Sequence, residues 1–227
     1  MKLILTCEHG GNKVPKKYQS YFNNQEVVLN SHRGYDIGAL DVFNHLKPLA
    51  NFSKHSETTR LLIELNRSLH HKNLFSEFSK SLIEEEKDEL ITQYYLDYRD
   101  EVEAVLKKHT EAAIKVTHLS IHTFTPIWNE TERNCDIGLL FDSRIKSEKT
   151  FCKNLKKEIQ KIDKTLNIRF NYPYLGKADG FTTYLRKQLP SNYLGIEIEI
   201  NQKFASNNKI DLNLKATLFS AIQSLCK

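Results

Sequence analysis

The chain begins with a short apolar segment that ends in a histidine and two glycines. Leu3-Ile4-Leu5 predicts a buried strand, and Cys7-Glu8-His9-Gly10-Gly11-Asn12 follows it directly. In open α/β sheets, ligands bind beyond the carboxyl ends of the strands. The segment therefore places an imidazole, together with backbone that another group can approach closely, at the edge where such a fold builds its site.

The rest of the chain alternates between the two kinds of hydrophobic periodicity. Strands are predicted at 3–6, 116–122, 137–141, 167–171 and 194–200, and helices at 34–46, 81–115, 150–162, 181–188 and 212–225. Residues 60–65 are predicted to be a strand or an extended segment. Strands that alternate with helices favour an α/β fold with a parallel or mixed sheet covered on both faces. Because no linker or repeat interrupts the pattern, we expect residues 1–227 to form a single domain.

Composition argues against several classes of protein. The net charge is only +5 over 227 residues, and the lysines are spread along the chain, which does not suggest a nucleic-acid interface. The four cysteines have no CxxC spacing, which argues against a disulfide framework or a zinc ribbon. No apolar stretch approaches the roughly 20 residues of a membrane span, and residues 1–6 are too short for a signal peptide. We therefore expect a cytoplasmic protein.

Two histidines and an aspartate are candidate metal ligands. His9 and His122 each follow a predicted strand, and Asp36 lies between glycines in Gly34-Tyr35-Asp36-Ile37-Gly38. Asp36 is interpreted either as a helix N-cap or as a third ligand beside the histidines. Three protein ligands with an open fourth position are what a catalytic zinc requires. A lone histidine at a strand end more often makes a structural hydrogen bond, and the spacing matches no short zinc motif, so both interpretations stay open.

Two glutamates lie on a predicted apolar strand. In Gly195-Ile196-Glu197-Ile198-Glu199-Ile200, alternation places both carboxylates on one face and the isoleucines on the other. A solvent-facing edge strand would show the same pattern. A carboxylate at a strand end beside a metal-activated water would instead be a natural general base. Glu197 and Glu199 are both candidates for that base.

The segment Arg60-Leu61-Leu62-Ile63-Glu64-Leu65-Asn66-Arg67 begins and ends with arginine. Surface arginines without a specific role are the commoner explanation of such a pattern. The alternative is a forked site, made by Arg60 and Arg67 beside Asn66, that binds a substrate carboxylate in bidentate fashion.

Seven short segments, in this order, resemble the N-formylglutamate amidohydrolase family. They run across nearly the whole chain and are Cys-Glu-His-Gly-Gly-Asn at 7–12, Tyr-Asp-Ile-Gly-Ala at 35–39, Thr-Arg-Leu-Leu-Ile-Glu-Leu-Asn-Arg at 59–67, Ser-Ile-His-Thr-Phe-Thr-Pro at 120–126, Asp-Ile-Gly-Leu-Leu at 136–140, Gly-Phe-Thr-Thr at 180–183 and Glu-Ile-Asn-Gln at 199–202. The chain departs from the family in offering two candidate bases, Glu197 and Glu199, where one is expected.

The resemblance implies a three-layer αβα fold with a mixed, mostly parallel sheet, phosphorylase/hydrolase-like and related to zinc carboxypeptidases. It implies a metal-dependent hydrolase that removes an N-formyl or similar acyl group from an amino acid such as glutamate, so that the partner is a small acidic substrate. Carried over by position, His9, Asp36 and His122 would bind one Zn²⁺, and Glu199 matches the strand-end base better than Glu197. The implied substrate-binding residues are Arg60, Asn66, Arg67, Asn12 and Gly180.

Two other functions remain open at this point. The chain is alternatively a metal amidase for another N-acyl amino acid or a peptide-like substrate. It is otherwise a non-catalytic binding protein that keeps the fold but has lost the metal.

Overall fold

A six-stranded sheet forms the centre of the molecule. The computed structural model describes residues 1–226. The strand order in the sheet is β2-β1-β3-β8-β6-β7. These strands are β1 (Lys2–Cys7), β2 (Phe52–His55), β3 (Val116–Phe124), β6 (Ile137–Leu140), β7 (Ile168–Phe170) and β8 (Tyr193–Asn201), and two small hairpins are made by β4 (Ile127–Trp128) with β5 (Thr131–Glu132) and by β9 (Ala205–Ser206) with β10 (Lys209–Ile210). All neighbouring pairs in the large sheet are parallel except β6 with β8.

Helices cover both faces of this sheet. The helices are α1 (Glu26–Leu29), α2 (Ala39–Leu46), α3 (Glu84–Leu90), α4 (Asp97–Glu111), α5 (Lys146–Ile162), α6 (Phe181–Gln188) and α7 (Leu212–Cys226). On one face, apolar side chains of α2, α5 and α7 pack against the isoleucines of β8. On the other face, a second core contains apolar side chains of α4 and α6. The result is the expected three-layer αβα arrangement, which confirms the predicted fold class.

Most predicted elements are present, with ends shifted by a few residues. The predicted helix at 81–115 consists of α3 and α4 joined by a π-helical segment, Ile91–Leu96. The prediction of a strand or extended segment at 60–65 is wrong, because this segment forms successive turns. Strand β2 was not predicted, since its sequence Phe-Ser-Lys-His is half-buried and offers no apolar run. That residues 1–227 are one domain stays a prediction.

The turns of residues 60–67 are held in place by helix α4 and the segment before it. The Arg99 guanidinium donates to the main-chain oxygens of Leu65 and Arg67 at 3.0 and 3.1 Å. The Tyr95 hydroxyl donates to the same Arg67 oxygen at 2.7 Å. Arg99 is buried, and these hydrogen bonds hold the backbone of Asn66 and Arg67 in position.

Within residues 1–226, no helix combines the length and the apolar character that crossing a bilayer requires.

Candidate metal centre and adjoining cavity

The sheet brings the ends of β1, β3 and β8 side by side. Thr6 of β1 pairs with Ser120 of β3, and His122 of β3 pairs with Glu199 of β8. His9 follows β1 by two residues, so it reaches the same carboxyl edge. Because alternate residues of a strand share a face, the side chains of Ser120 and His122 lie on one face of β3.

Asp36 joins this edge from the loop before α2. Its main-chain N–H donates to the carbonyl oxygen of His9 at 3.0 Å, which ties the loop to the end of β1. Its Oδ2 lies 2.9 Å from Nδ1 of His122 and 3.4 Å from Nδ1 of His9. The interpretation of Asp36 as a helix N-cap is wrong, because the N-cap of α2 is Gly38 and the Asp36 carboxylate points to the imidazoles.

The three side chains form a compact group that could hold a metal ion. One potential ligand atom from each of His9, Asp36 and His122 lies within 4.8 Å of the others, and all three residues are buried. The Nδ1 atom of His9 has no hydrogen-bond partner within residues 1–226. A buried nitrogen without a partner is costly, and a metal ion between the two imidazoles would satisfy it. The residues therefore fit a metal.

Each histidine is oriented through its other ring nitrogen. Nε2 of His9 lies 2.5 Å from Oε1 of Glu64. Nε2 of His122 lies 2.8 Å from the Ser120 hydroxyl, which itself donates to Oε2 of Glu8 at 2.6 Å. These contacts place the Nε2 proton on the side away from Asp36 and leave both Nδ1 atoms facing it. A carboxylate behind each imidazole is the arrangement that orients histidines in metal sites.

The neighbouring carboxylates raise the pKa of both imidazoles. Burial disfavours the charged form of His122, but Asp36 and Glu8 outweigh it and raise the pKa of His122 well above its usual value. Burial and Arg60 lower the pKa of His9, yet the Glu64 and Asp36 carboxylates raise it overall. The surroundings of both imidazoles therefore favour positive charge, and a bound cation can supply it in place of protons.

Glu199 and Glu197 follow each other on one face of β8. Strand β8 lies between β3 and β6, so the alternative that it is a solvent-facing edge strand is wrong. Glu199 is buried, and its Oε2 has no hydrogen-bond partner within residues 1–226. Burial, assisted by the charges of Asp36 and Glu197, raises the pKa of Glu199 to about 8 despite the opposing effect of His122. Glu197 is half-buried and accepts a hydrogen bond from Thr182 at 2.7 Å.

Arg60 and Arg67 have different surroundings. Arg60 donates to Oε2 of Glu64 at 2.9 and 2.7 Å and to Oδ1 of Asp36 at 3.0 Å, so two carboxylates match its charge. Arg67 donates to the main-chain oxygen of Asp179. The interpretation of these residues as surface arginines without a specific role is wrong for Arg60, which is hydrogen-bonded to residues of the metal centre.

A cavity of about 290 Å³ opens next to the metal centre. It is lined by His9, Asp36, Arg60, Asn66, Arg67, His122, Thr123, Tyr174, Leu175, Ala178, Asp179, Glu197 and Glu199. Eight of the ten candidate site residues predicted from the sequence are among them. The two exceptions are Asn12 and Gly180. The Asn12 amide donates to Leu29 and Asn30 at 3.1 and 2.8 Å, and Gly180 packs closely against Asn66 and Glu197, which do line the cavity.

Glu8 and Glu64 are not among the predicted site residues, although both orient the imidazoles. A signal for Glu8 was present, since it lies next to His9 at the end of β1. No periodic signal marks Glu64, because it lies among turns whose path depends on contacts with distant residues.

Comparisons with known proteins are consistent with this fold. The family model for N-formylglutamate amidohydrolase matches residues 1–205. A crystallised gene product of Agrobacterium tumefaciens is 24% identical, with a TM-score of 0.81 over 99% of this chain and 88% of that one. A crystallised N-formylglutamate amidohydrolase from Ralstonia eutropha is 14% identical, with a TM-score of 0.72 over 100% of this chain and 93% of that one. No curated protein matches the chain. Because the family model spans most of the sequence, the chain belongs to the N-formylglutamate amidohydrolase family, a family of hydrolases.

Proposed function

We propose that the protein is a zinc-dependent amidohydrolase that removes a formyl or similar acyl group from an N-acyl amino acid. The observation that supports this most is the group of His9, Asp36 and His122, in which both Nδ1 atoms face Oδ2 of Asp36 at the wall of a cavity. Two imidazoles and a carboxylate form a ligand set that suits zinc and leaves a fourth position open. The cavity has room for a small substrate and not for a folded partner.

Glu199 is proposed as the general base. Zinc, when bound, polarises the acyl carbonyl and makes water more acidic. A cation nearby also favours the ionised form of Glu199. Glu199 accepts the proton of the attacking water at Oε2 and delivers it to the amide nitrogen as the C–N bond breaks. The products are formate, or the corresponding acid, and the free amino acid.

Arg67 is proposed to hold the substrate carboxylate, with Asn66 and Arg60 at its sides. Its guanidinium lines the cavity, and its side-chain hydrogen bond within residues 1–226 goes to a main-chain oxygen rather than to a carboxylate. Arg60 also lines the cavity. It is proposed to act mainly by holding the carboxylates of Asp36 and Glu64 in position. Asn66 accepts from the main-chain N–H of Phe181 at 2.7 Å and so fixes the start of α6 at the cavity.

The Arg67→Ala variant should show a higher KM with a smaller loss of kcat. Removing a charged hydrogen-bond donor that binds the substrate away from the reacting carbonyl is expected to raise KM about 10- to 100-fold. Steady-state kinetics with an N-formyl amino acid measure both constants. Arg33→Ala, which removes an exposed arginine paired with Glu77 outside this cavity, is the matched control. An unchanged KM in the Arg67→Ala variant would refute the proposal that Arg67 binds the substrate carboxylate.

The Glu64→Gln variant should weaken metal binding. Glutamine keeps an oxygen that can accept from His9 but loses the charge that raises the pKa of that imidazole and pairs with Arg60. Zinc affinity is therefore expected to fall about 10- to 100-fold. Competition with a chromogenic chelator measures it, and Glu77→Gln, at an exposed glutamate, is the control. Equal affinity in the two variants would contradict the orienting role of Glu64.

A substrate screen tests the proposal as a whole. Freshly purified protein is assayed with N-formyl, N-acetyl and N-succinyl amino acids, with and without a chelator. Hydrolysis of an N-formyl substrate that the chelator abolishes is expected. Preference for the acetyl or succinyl series would favour the amidase alternative, and absence of both hydrolysis and metal would favour the non-catalytic binding protein.

A further inference from the structure

The cavity contains charges that the metal centre does not use. Apart from the metal centre, Arg60 and the proposed base Glu199, the lining residues that bear charge are Arg67, Asp179 and Glu197. Their balance decides which substrate side chain can be accommodated, because an unmatched charge in a partly enclosed site is costly.

Arg60 does not contribute a free positive charge to this balance. Three of its N–H groups are directed at the carboxylates of Glu64 and Asp36. The negative charges of these two carboxylates offset the positive charge of the Arg60 guanidinium, so Arg60 does not attract a further anion.

The other three side chains are not paired with one another. Arg67 donates to the main chain of Asp179, and the Asp179 carboxylate accepts from the N–H and the hydroxyl of Ser68 at 2.9 and 3.1 Å. Glu197 accepts from the Thr182 hydroxyl through Oε1. Within residues 1–226, none of the three forms an ion pair with another side chain. The lining therefore contributes one cation and two carboxylates that are not ion-paired.

Gly180 brings these groups to one place. A Cβ at this position would lie 3.3 Å from Oδ1 of Asn66 and 3.4 Å from Oε1 of Glu197, so glycine leaves this corner open. Asp179 is its chain neighbour, and Arg67 is bonded to that residue. Tyr174, Leu175 and Ala178 also line the cavity and form an apolar wall along which an alkyl chain can lie.

We propose that the substrate is an N-acyl amino acid with one carboxylate and a cationic side chain, an alkylammonium or a guanidinium, and that Glu197 determines this preference. The inference rests on the proposed function and narrows its substrate. Arg67 binds the α-carboxylate, the alkyl stem lies along the apolar wall, and Glu197 accepts hydrogen bonds from the cation. A second carboxylate, as in N-formylglutamate, would instead face Glu197 and Asp179 with no free cation to match it.

The experiment compares kcat/KM for N-formyl-lysine, N-formyl-arginine, N-formylglutamine and N-formylglutamate in wild-type protein and in Glu197→Gln. We expect the two cationic substrates to exceed N-formylglutamate by about 10-fold or more in the wild type, since a charged hydrogen bond replaces a like-charge contact. In Glu197→Gln this ratio should fall by about 10- to 100-fold, with the largest loss on the cationic substrates. Glu158→Gln, at a surface glutamate of α5 paired with Lys161, is the matched control and should keep the wild-type ratios.

The outcomes separate this inference from the function on which it rests. If no N-formyl amino acid is hydrolysed, the proposed function fails. If N-formylglutamine is hydrolysed but N-formylglutamate matches or exceeds the cationic substrates, the proposed function stands and the charge preference is overturned. Equal losses on all four substrates in Glu197→Gln would also overturn it, since Glu197 would then serve the reaction and not the selection of the side chain.

Discussion

Replacing Glu199 with glutamine is expected to lower kcat by about 10²- to 10⁴-fold, the usual contribution of a positioned general base. Glutamine has the same shape and cannot accept the proton of water at Oε2. The metal content should be unchanged, because Glu199 is not in the His9, Asp36 and His122 group. Steady-state kinetics together with elemental analysis of the same sample measure both quantities.

Glu197→Gln is the matched comparison, because it makes the same chemical change two residues earlier on the same face of β8. With a substrate whose side chain is neutral, its loss of kcat should be much smaller than that of Glu199→Gln. A large loss in Glu197→Gln with near-normal turnover in Glu199→Gln would mean that the base has been assigned to the wrong glutamate. Loss of metal in Glu199→Gln would mean that Glu199 is a ligand.

Replacing His122 with glutamine is expected to remove the metal and, with it, the activity. Glutamine can still donate to Ser120 from the position of Nε2, but it lacks the Nδ1 atom that faces Asp36 at 2.9 Å. This choice is preferable to alanine, because alanine would also remove the group that contacts the Ser120 hydroxyl and would leave a cavity in the buried end of β3.

The matched control for this variant is His118→Gln. His118 is also buried on β3, but its ring contacts the hydroxyls of Thr6 and Tyr193, both at 2.8 Å. Its metal content should equal that of the wild type, and thermal melting shows whether both variants fold. A folded His122→Gln protein that retains a full equivalent of zinc would contradict the assignment of His122 as a ligand.

The sequence pattern was most informative where a residue lies on a regular element. The alternation in 194–200 correctly placed Glu197 and Glu199 on one face, because a strand has a fixed period of two. The same pattern could not show that β8 is central rather than at an edge, since strand order depends on how distant segments pair. Only the pairing with β3 and β6 shows this.

The pattern was least informative where the backbone is held by distant side chains. The apolar residues Leu61, Leu62, Ile63 and Leu65 are all buried, as in a strand, yet the chain turns between them. The donors on Arg99 and Tyr95 that stabilise these turns lie about thirty residues further along the chain and leave no local signal.

In the candidate metal centre, too, some residues carry a local sequence signal and others are positioned only by distant contacts. His9 and His122 were identifiable because they end strands. Asp36 was ambiguous between a cap and a ligand, because nothing local reveals that its main-chain N–H bonds to His9. Glu64 reaches His9 across 55 positions of sequence, and such an orienting contact becomes visible only in three dimensions.

Zinc titration of the chelated protein tests the central claim most directly. Zinc is added in steps to metal-free protein while bound zinc and hydrolysis of an N-formyl amino acid are measured on the same samples. We expect activity to be absent at the start, to rise in proportion to bound zinc and to saturate at about one equivalent per chain, as a single site with three protein ligands requires. Full hydrolysis by the metal-free protein would contradict it.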